Sequence, residues 1–441
     1  MRWAIVLAGG SGTRFWPLST PENPKQLLPL AGSTSTAEES IDRLTGLIPR
    51  ERILIVTGAA LAGRLQQQLN LPADNLLVEP RAASTAPALI WATIEARKRD
   101  PDAEVLSLHA DWAVGDAASF RRTADTALGT ARRYERLVTV GVVPSRPETG
   151  YGYIVPGAPL GDGARMVARF SEKPDAATAL DLMAAGALWN SGLFAWTAER
   201  LVAEVRAHTP EIAPHLSTLE SGDVAGFFRD VTPISIDVGV LERSAAVAVV
   251  SGAFAWDDIG TWQALTRVRP KDPSGNVVVG RASVHESEDC IVWADRDTVV
   301  LSGVQDLIVV QANGRILVMP TERAASMKQL LDALPPDVRD VHSCTRCMCS
   351  SLSRPVRPGL PLGVCARWRN CGLESGECES DGRQQPEPMP PPSSDRMSPA
   401  SARVMSHPSW LPPWSRARQS LERPGSRRPA QHSRRILPFV G

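Results

Sequence analysis

Leu7-Ala8-Gly9-Gly10-Ser11-Gly12-Thr13-Arg14-Phe15-Trp16-Pro17-Leu18 ends an apolar run that begins at Trp3, and Pro24-Lys25-Gln26 follows shortly after. An apolar run breaking into glycines predicts a strand that enters a tight turn. With no Cβ atoms in the way, the backbone N–H groups of such a turn can face a polyphosphate, and Arg14 and Lys25 bring positive charge to it. The stretch is not a Walker loop, because no Gly-Lys-Ser/Thr follows. It is not the dinucleotide fingerprint either, because Phe15 stands where the third glycine would be. Gly9, Gly10 and Gly12 alone would be read as an ordinary strand-to-helix turn. Arg14, Pro17 and Lys25 shift the reading to an anion cradle.

Outward from this turn, apolar runs at residues 3–8, 53–57, 105–108 and 137–143 alternate with helical patterns such as 86–96 and 120–134. That order predicts an α/β fold over residues 1–265, a Rossmann-like sheet with helices on both faces. Such a sheet binds ligands at the C-terminal ends of its strands. From about Asn276 the pattern becomes short strands in quick succession, at 277–279, 291–293, 298–301, 307–310 and 316–319, with Gly, Asp or Asn between them. Residues 270–340 are therefore expected to form a small all-β, β-helix-like module closed by a helix near 327–334.

Residues 341–441 are rich in Pro, Arg and Ser and contain no Lys, the last being Lys328. A disordered tail is expected there. Its abrupt start behind a finished helix also matches out-of-frame translation of GC-rich coding sequence, a hypothesis that the underlying nucleotide sequence would refute by placing the tail in frame. Six of the seven cysteines, Cys344, Cys347, Cys349, Cys365, Cys371 and Cys378, lie in this tail. Their spacing fits no paired zinc knuckle, so no zinc site is expected, and Cys290 alone in the globular part predicts no disulfide framework.

The 441 residues are enough for a large domain and a smaller one, and 48 Lys and Arg balance 48 Asp and Glu. Zero net charge argues against nucleic acid or an anionic membrane as the main partner, so an anionic ligand must be held by a local site. No apolar run approaches a membrane span, and a strand starting at Trp3 leaves no room for a secretory signal. A cytoplasmic location is expected.

The glycine-rich run resembles the signature of the sugar-phosphate nucleotidyltransferases. Later motifs are similar to the mannose-1-phosphate guanylyltransferase branch of that family: Glu79-Pro80 with Ser84-Thr85-Ala86-Pro87, Leu108-His109-Ala110-Asp111, Gly150-Tyr151-Gly152-Tyr153-Ile154, Glu172-Lys173-Pro174, Trp189-Asn190-Ser191-Gly192-Leu193-Phe194, Ser235-Ile236-Asp237 with Glu242, and Trp256-Asp257-Asp258-Ile259-Gly260-Thr261-Trp262. The resemblance runs from Met1 to about Leu334. It implies transfer of GMP from GTP to mannose 1-phosphate, giving GDP-mannose and pyrophosphate.

The resemblance also implies roles. Arg14 and Lys25 would be catalytic, and Leu7, Gly9, Gly10, Gly12, Thr13, Glu79, Pro80, Ser84 and Thr85 would meet the nucleotide. Gly152, Glu172, Lys173, Asn190 and Asp237 would meet the sugar phosphate. Asp111 and Asp258 would hold a divalent cation, Mg²⁺, whose hard octahedral demand suits two carboxylates completed by phosphate oxygens and water. Asp258 is preferred to Asp257 because it is the second residue after Trp256. Without the resemblance, each aspartate would read as a loop or helix-cap residue, Glu172-Lys173 as a surface pair, Gly150 to Tyr153 as a turn, and Asp237 and Glu242 as helix N-terminal acids.

Ala83-Ser84 departs from the family, which often carries Arg-Asn there, and Arg81 is the nearby cation that would substitute. His109 and Trp112 are further departures that leave the Asp111 carboxylate in place. The longer members append a phosphomannose isomerase domain with a His-x-His element, which is missing here, so that second activity is not expected. A homodimer is an open expectation. Two rival functions stand beside the main one: a thymidylyl- or uridylyltransferase, and a non-catalytic GDP-mannose-binding regulatory subunit on the same fold.

Overall fold

A computed structural model describes residues 1–340 apart from Ser11. The readings made for the tail, namely its disorder, its reading frame and its cysteines, lie outside the described residues.

Strands follow in chain order as β1 (Arg2–Ala8), β2 (Ile53–Gly58), β3 (Leu76–Glu79), β4 (Glu104–His109), β5 (Ala113–Val114), β6 (Leu137–Val142), β7 (Tyr153–Gly161), β8 (Ala164–Ser171), β9 (Leu188–Thr197), β10 (Val247–Ser251), β11 (Trp256–Asp257), β12 (Val277–His285), β13 (Ile291–Ser302), β14 (Leu307–Ala312) and β15 (Arg315–Pro320). Nine form one mixed sheet in the order β3-β2-β1-β4-β9-β6-β10-β8-β7. At its centre β1 pairs in parallel with both β2 and β4.

Alternate residues of β1 enter different cores, which is why the strand reads as unbroken apolar sequence. Trp3, Ile5 and Leu7 pack with Leu89, Ile90 and Trp91 of the helix Thr85–Arg99. Ala4, Val6 and Ala8 pack on the other face with Phe120 and Leu128 of the helix Ala117–Tyr134. The second helix starts where Asp116 Oδ1 accepts from Ala118 N at 2.9 Å and Ser119 N at 3.1 Å, which satisfies two of its first amides. Helices thus cover both faces of the sheet, as expected of an α/β fold.

β12, β13, β14 and β15 form a separate four-stranded sheet, in which the first three strands pair in parallel and β15 closes as an antiparallel hairpin. The runs expected at 291–293 and 298–301 are one strand. The polar residues between them read as a turn, but Gln311 Oε1 accepts from Arg296 N at 3.0 Å and Asp297 N at 3.3 Å. One buried amide side chain thereby supplies partners that a ladder break would have left missing.

A third core joins the two sheets. Phe15, Trp16, Leu18, Leu28 and Leu30, from the segment that contains the signature motif, are buried together with Trp262, Trp293, Ile308 and Val310.

Candidate active site

At the C-terminal end of β1 the chain turns through Gly10 at φ 98° and Gly12 at φ 60°. A Cβ on Gly12 would lie 2.6 Å from Lys25 N and 2.9 Å from Lys25 Cβ, so only glycine fits against the backbone there. Ser19 Oγ donates to Gly12 O at 2.6 Å, and Gln26 Nε2 donates to Gly9 O. The glycine turn and the Lys25 segment are therefore one unit. Phe15 and Trp16 anchor it below, while Thr13 and Arg14 stay exposed above.

Lys25 is 8% exposed. Its ammonium donates to Asp111 Oδ2 at 3.0 Å and to the main-chain oxygen of Asp258 at 2.5 Å. Two distant segments meet here through a short antiparallel ribbon: β5, which follows Asp111, pairs with β11, which precedes Asp258, in the register Val114 with Trp256 and Ala113 with Asp257. Asp111 itself lies just past the end of β4, at the strand tips where an α/β sheet binds ligands.

The structure separates Asp257 from Asp258. Both Asp257 oxygens are taken, Oδ2 by Arg267 Nε at 2.5 Å and Oδ1 by Arg267 Nη2 at 3.0 Å and Ile259 N at 2.9 Å, so that residue fixes the loop. Asp258 Oδ1 accepts instead from the Tyr151 phenol at 2.6 Å and from Gly260 N at 3.1 Å. Burial pushes the Asp258 carboxyl above the usual carboxylate range, and the bond from Tyr151 and the charge of Lys25 pull it back. Burial, with Asp258 beside it, pushes the Tyr151 phenol up. Arg146 Nη2 donates to the same phenol at 3.2 Å, and its guanidinium lies over the Tyr151 ring.

Beside this cluster a cavity of about 140 Å³ is lined by Thr85, His109, Gly152, Glu172, Asn190 and Asp237, among others. A Cβ on Gly152 would come within 2.5 Å of Glu172 Oε2, so glycine is required for the loop to pass that carboxylate. Asn190 Oδ1 accepts from Thr139 Oγ1 at 2.9 Å and its Nδ2 donates to Asp237 Oδ1 at 2.8 Å. Burial, reinforced by Glu172, pushes Asp237 up to about 6. Glu172 Oε1 accepts from the exposed Lys173 ammonium at 2.5 Å. Five residues expected at the sugar phosphate, Gly152, Glu172, Lys173, Asn190 and Asp237, thus lie in one bonded group or against it.

The residues expected at the nucleotide are less closely gathered. Thr85 Oγ1 accepts from Ile236 N at 2.9 Å and so holds the segment that carries Asp237. Ser84 has φ 67°, a conformation that L side chains rarely adopt. Glu79 ends β3 with its carboxyl pushed up by burial, and Pro80 is exposed. Among the described residues no hydrogen bond or ion pair ties Glu79, Pro80, Ser84 or Arg14 to the Lys25 cluster. Arg81 Nη2 donates to the carbonyls of Val231 at 2.6 Å and Arg229 at 3.4 Å, which ties its guanidinium to the C-terminal end of the helix Val224–Asp230. Glu242 Oε1 accepts from Glu172 N at 3.3 Å, which makes it a support for the segment that carries Glu172.

Size alone does not find this chemistry. A larger cavity of about 630 Å³ is lined by Glu39, Arg43, Arg146, Trp256 and Arg267 and includes Asp257, but Lys25, Asp111 and Asp258 do not line it. Tyr151 is the site residue that motif reading missed as a side chain; a phenol set between two glycines was the available signal.

Comparison with known proteins places the chain among relatives. The family model described as nucleotidyl transferase matches residues 3–275, and that of the MannoseP isomerase/GMP-like beta-helix domain matches residues 280–334. The mannose-1-phosphate guanylyltransferase of Klebsiella pneumoniae is 36% identical over 353 residues, which cover 76% of this chain and 74% of the relative. The protein of the same name from Escherichia coli (strain K12) is 33% identical over 364 residues, covering 78% and 76%. Among solved structures, a protein from Thermus thermophilus described as mannose-1-phosphate geranyltransferase aligns with a TM-score of 0.71 at 36% identity, covering 75% of this chain and 98% of that one.

Proposed function

Because the chain belongs to the nucleotidyl transferase family, and within it to the mannose-1-phosphate guanylyltransferases, we propose that it transfers GMP from GTP to mannose 1-phosphate, forming GDP-mannose and releasing pyrophosphate. The observation that carries the reading is the placement of Lys25 between Asp111 and the main-chain oxygen of Asp258 at the strand tips, beside the pocket of Glu172, Asn190 and Asp237.

A phosphate oxygen of mannose 1-phosphate bonds to the α-phosphorus of GTP as the bond from that phosphorus to the bridging oxygen breaks, and the electron pair leaves with pyrophosphate. The attacking phosphate is already an anion, so no general base is required. The protein must align two mutually repelling anions and neutralise charge where it builds up. The turn of Gly9, Gly10 and Gly12 presents backbone N–H groups to the nucleotide, with Leu7, Thr13, Glu79, Pro80, Ser84 and Thr85 around the base and ribose. Arg14 and Lys25 supply positive charge to the phosphates. Gly152, Glu172, Asn190 and Asp237 orient the hexose hydroxyls, and Lys173 meets its phosphate.

Asp111 and Asp258 would hold Mg²⁺: both offer hard carboxylate oxygens, and both lie at the strand tips, where Lys25 bonds the Asp111 carboxylate and the main-chain oxygen of Asp258. When bound there, Mg²⁺ supplies neutralisation of the phosphate oxygens.

The retained Lys25, Asp111 and Asp258 favour an enzyme over a binding subunit, which has no need of charged groups at the transferring phosphorus. We place the reaction in the cytoplasm, carried out by a homodimer acting on small-molecule substrates without nucleic acid or membrane. Among the described residues no helix is long and apolar enough to cross a membrane. A panel of nucleoside triphosphates and sugar 1-phosphates, read by pyrophosphate release, tests the reading. GTP with mannose 1-phosphate is expected to lead; a lead for a thymidine or uridine nucleotide replaces the substrate, and binding of GDP-mannose without turnover replaces the enzyme.

A further inference from the structure

The loop that carries Arg14 and Lys25 is braced from outside the main sheet. Asn313, at the β14 to β15 turn, donates from Nδ2 to Pro17 O at 2.9 Å and to Leu18 O at 3.2 Å. Trp16 Nε1 donates to Arg339 O at 3.0 Å, and Trp262 Nε1 donates to Trp16 O at 3.2 Å. Beyond Lys25, Arg269 donates from Nε to Leu30 O and from Nη2 to Gly32 O, both at 2.8 Å. Below, the Phe15 and Trp262 rings meet at 5.1 Å, and Trp262 and Trp293 at 5.9 Å. The underside of the loop is packed into the core of the small β-module, separate from the two cores of the main sheet.

We infer that the β-module is the positioning device for the glycine-rich loop and that Asn313 is its positioning residue. A loop of this kind has few ladder bonds to fix it. Its carbonyls at Pro17 and Leu18 find their donor in one amide group projecting from another sheet. Both N–H bonds of that amide point into the segment between Arg14 and Lys25, so the separation of the two cations depends on it. Misplacing phosphate-binding groups by even a fraction of an ångström lowers the reaction rate with little change in how tightly the ground-state substrates bind.

Asn313 has a second, simpler duty that must be separated from this one. It sits at φ 51° and is followed by Gly314 at φ 70°, the backbone that a two-residue hairpin turn demands and that Asn-Gly commonly supplies. Asn313→Gly keeps that turn, since glycine adopts the conformation without strain, and removes only the side-chain amide. A pure turn role predicts no effect of this change.

The inference rests on the proposed transferase reading for its kinetic arm only. In the full chain, Asn313→Gly is expected to lower the thermal midpoint by only a few degrees, to leave the KM for mannose 1-phosphate unchanged and to lower kcat by roughly tenfold to a hundredfold. Amide hydrogen exchange supplies an arm that needs no substrate: Phe15, Trp16, Leu18 and Ser19 are expected to exchange faster in the variant while the amides of β1 and β4 keep their rates. Asn313→Asp, which suits the turn but sets a carboxylate against two carbonyls, is expected to be at least as impaired. Unaltered kcat together with unaltered exchange in a folded Asn313→Gly chain would overturn the inference. If the wild-type chain releases no pyrophosphate from any substrate pair, the functional reading fails, and the exchange arm still decides the role of Asn313.

Discussion

The Tyr151 phenol donates a 2.6 Å hydrogen bond to Oδ1 of Asp258, so the loop that brings Gly152 to the cavity of Glu172 and Asn190 is bonded to the side chain of the residue whose main-chain oxygen accepts from Lys25. The two halves of the crevice are mechanically coupled through this bond. Tyr151→Phe keeps the ring contacts with Trp189 and Trp256, both at 5.2 Å, and removes the bond to Asp258 together with the longer one from Arg146. A hydrogen bond to a charged group contributes about 1.5–3 kcal/mol, so a fall in kcat of roughly tenfold is expected if about half of that acts on Asp258 orientation. Initial rates of pyrophosphate release over a range of Mg²⁺ concentrations measure it, and an unchanged kcat would show that Asp258 needs no help from the phenol.

Neighbouring aspartates should respond in opposite ways. Asp258→Asn is expected to lower turnover by orders of magnitude with little change in unfolding midpoint, because its carboxyl accepts from Tyr151 and Gly260 N and, unlike that of Asp257, pairs with no arginine among the described residues. Asp257→Asn is expected to leave part of the activity and cost about 2 kcal/mol of stability, a value reduced from that of a fully buried pair because Arg267 is 33% exposed. Urea unfolding of both variants alongside turnover separates them; an equal loss of stability in both would deny Asp258 a site role.

Asp237 gives a pH signature. Its carboxyl is pushed up to about 6, mainly by burial, from an ordinary value near 3.8. Between those two values the folded chain holds a proton that the unfolded chain has lost, so this group's contribution favours the folded state below about pH 4 and is lost as pH rises through 6. Asp237→Asn, which cannot ionise, should therefore unfold at a higher urea concentration than wild type at pH 8, by no more than about 3 kcal/mol. The gap should close below pH 4. A gap of the same size at both pH values would refute the titration.

Ser84 holds φ 67° at the start of the helix Thr85–Arg99, where its side chain makes no capping bond. Ser84→Gly is expected to stabilise the fold by about 1 kcal/mol by relieving that conformation. If the nucleotide is met there by backbone, activity should be kept. Loss of GTP affinity in the glycine variant would show that the hydroxyl itself makes the contact.

The regular parts of this chain were legible because each local signal is short-range. The run from Trp3 into Gly9 is a central strand and a turn, and the two-faced burial of β1 follows directly from its lack of polar interruption. β13 was read as two strands because Asp295, Arg296 and Asp297 look like a turn; the side chain that rescues them, Gln311, belongs to a later strand. Asp111 and Asp258 were paired only through family resemblance, since nothing local announces that β5 and β11 will form a two-residue ribbon. Tyr151, Thr85 and Arg81 make the same point. Their partners, Asp258, Ile236 and Val231, lie far along the chain, so their duties emerge only once the fold brings those segments together.

The most direct test is a crystal structure of the chain with GDP-mannose and Mg²⁺. The account predicts the hexose among Glu172, Asn190 and Asp237, the diphosphate against the turn of Gly10 and Gly12, and the cation on Asp111 and Asp258. Product lodged instead in the larger cavity of Arg43, Arg146 and Arg267, with Lys25 still bonded to Asp111 and the glycine turn unvisited, would contradict it.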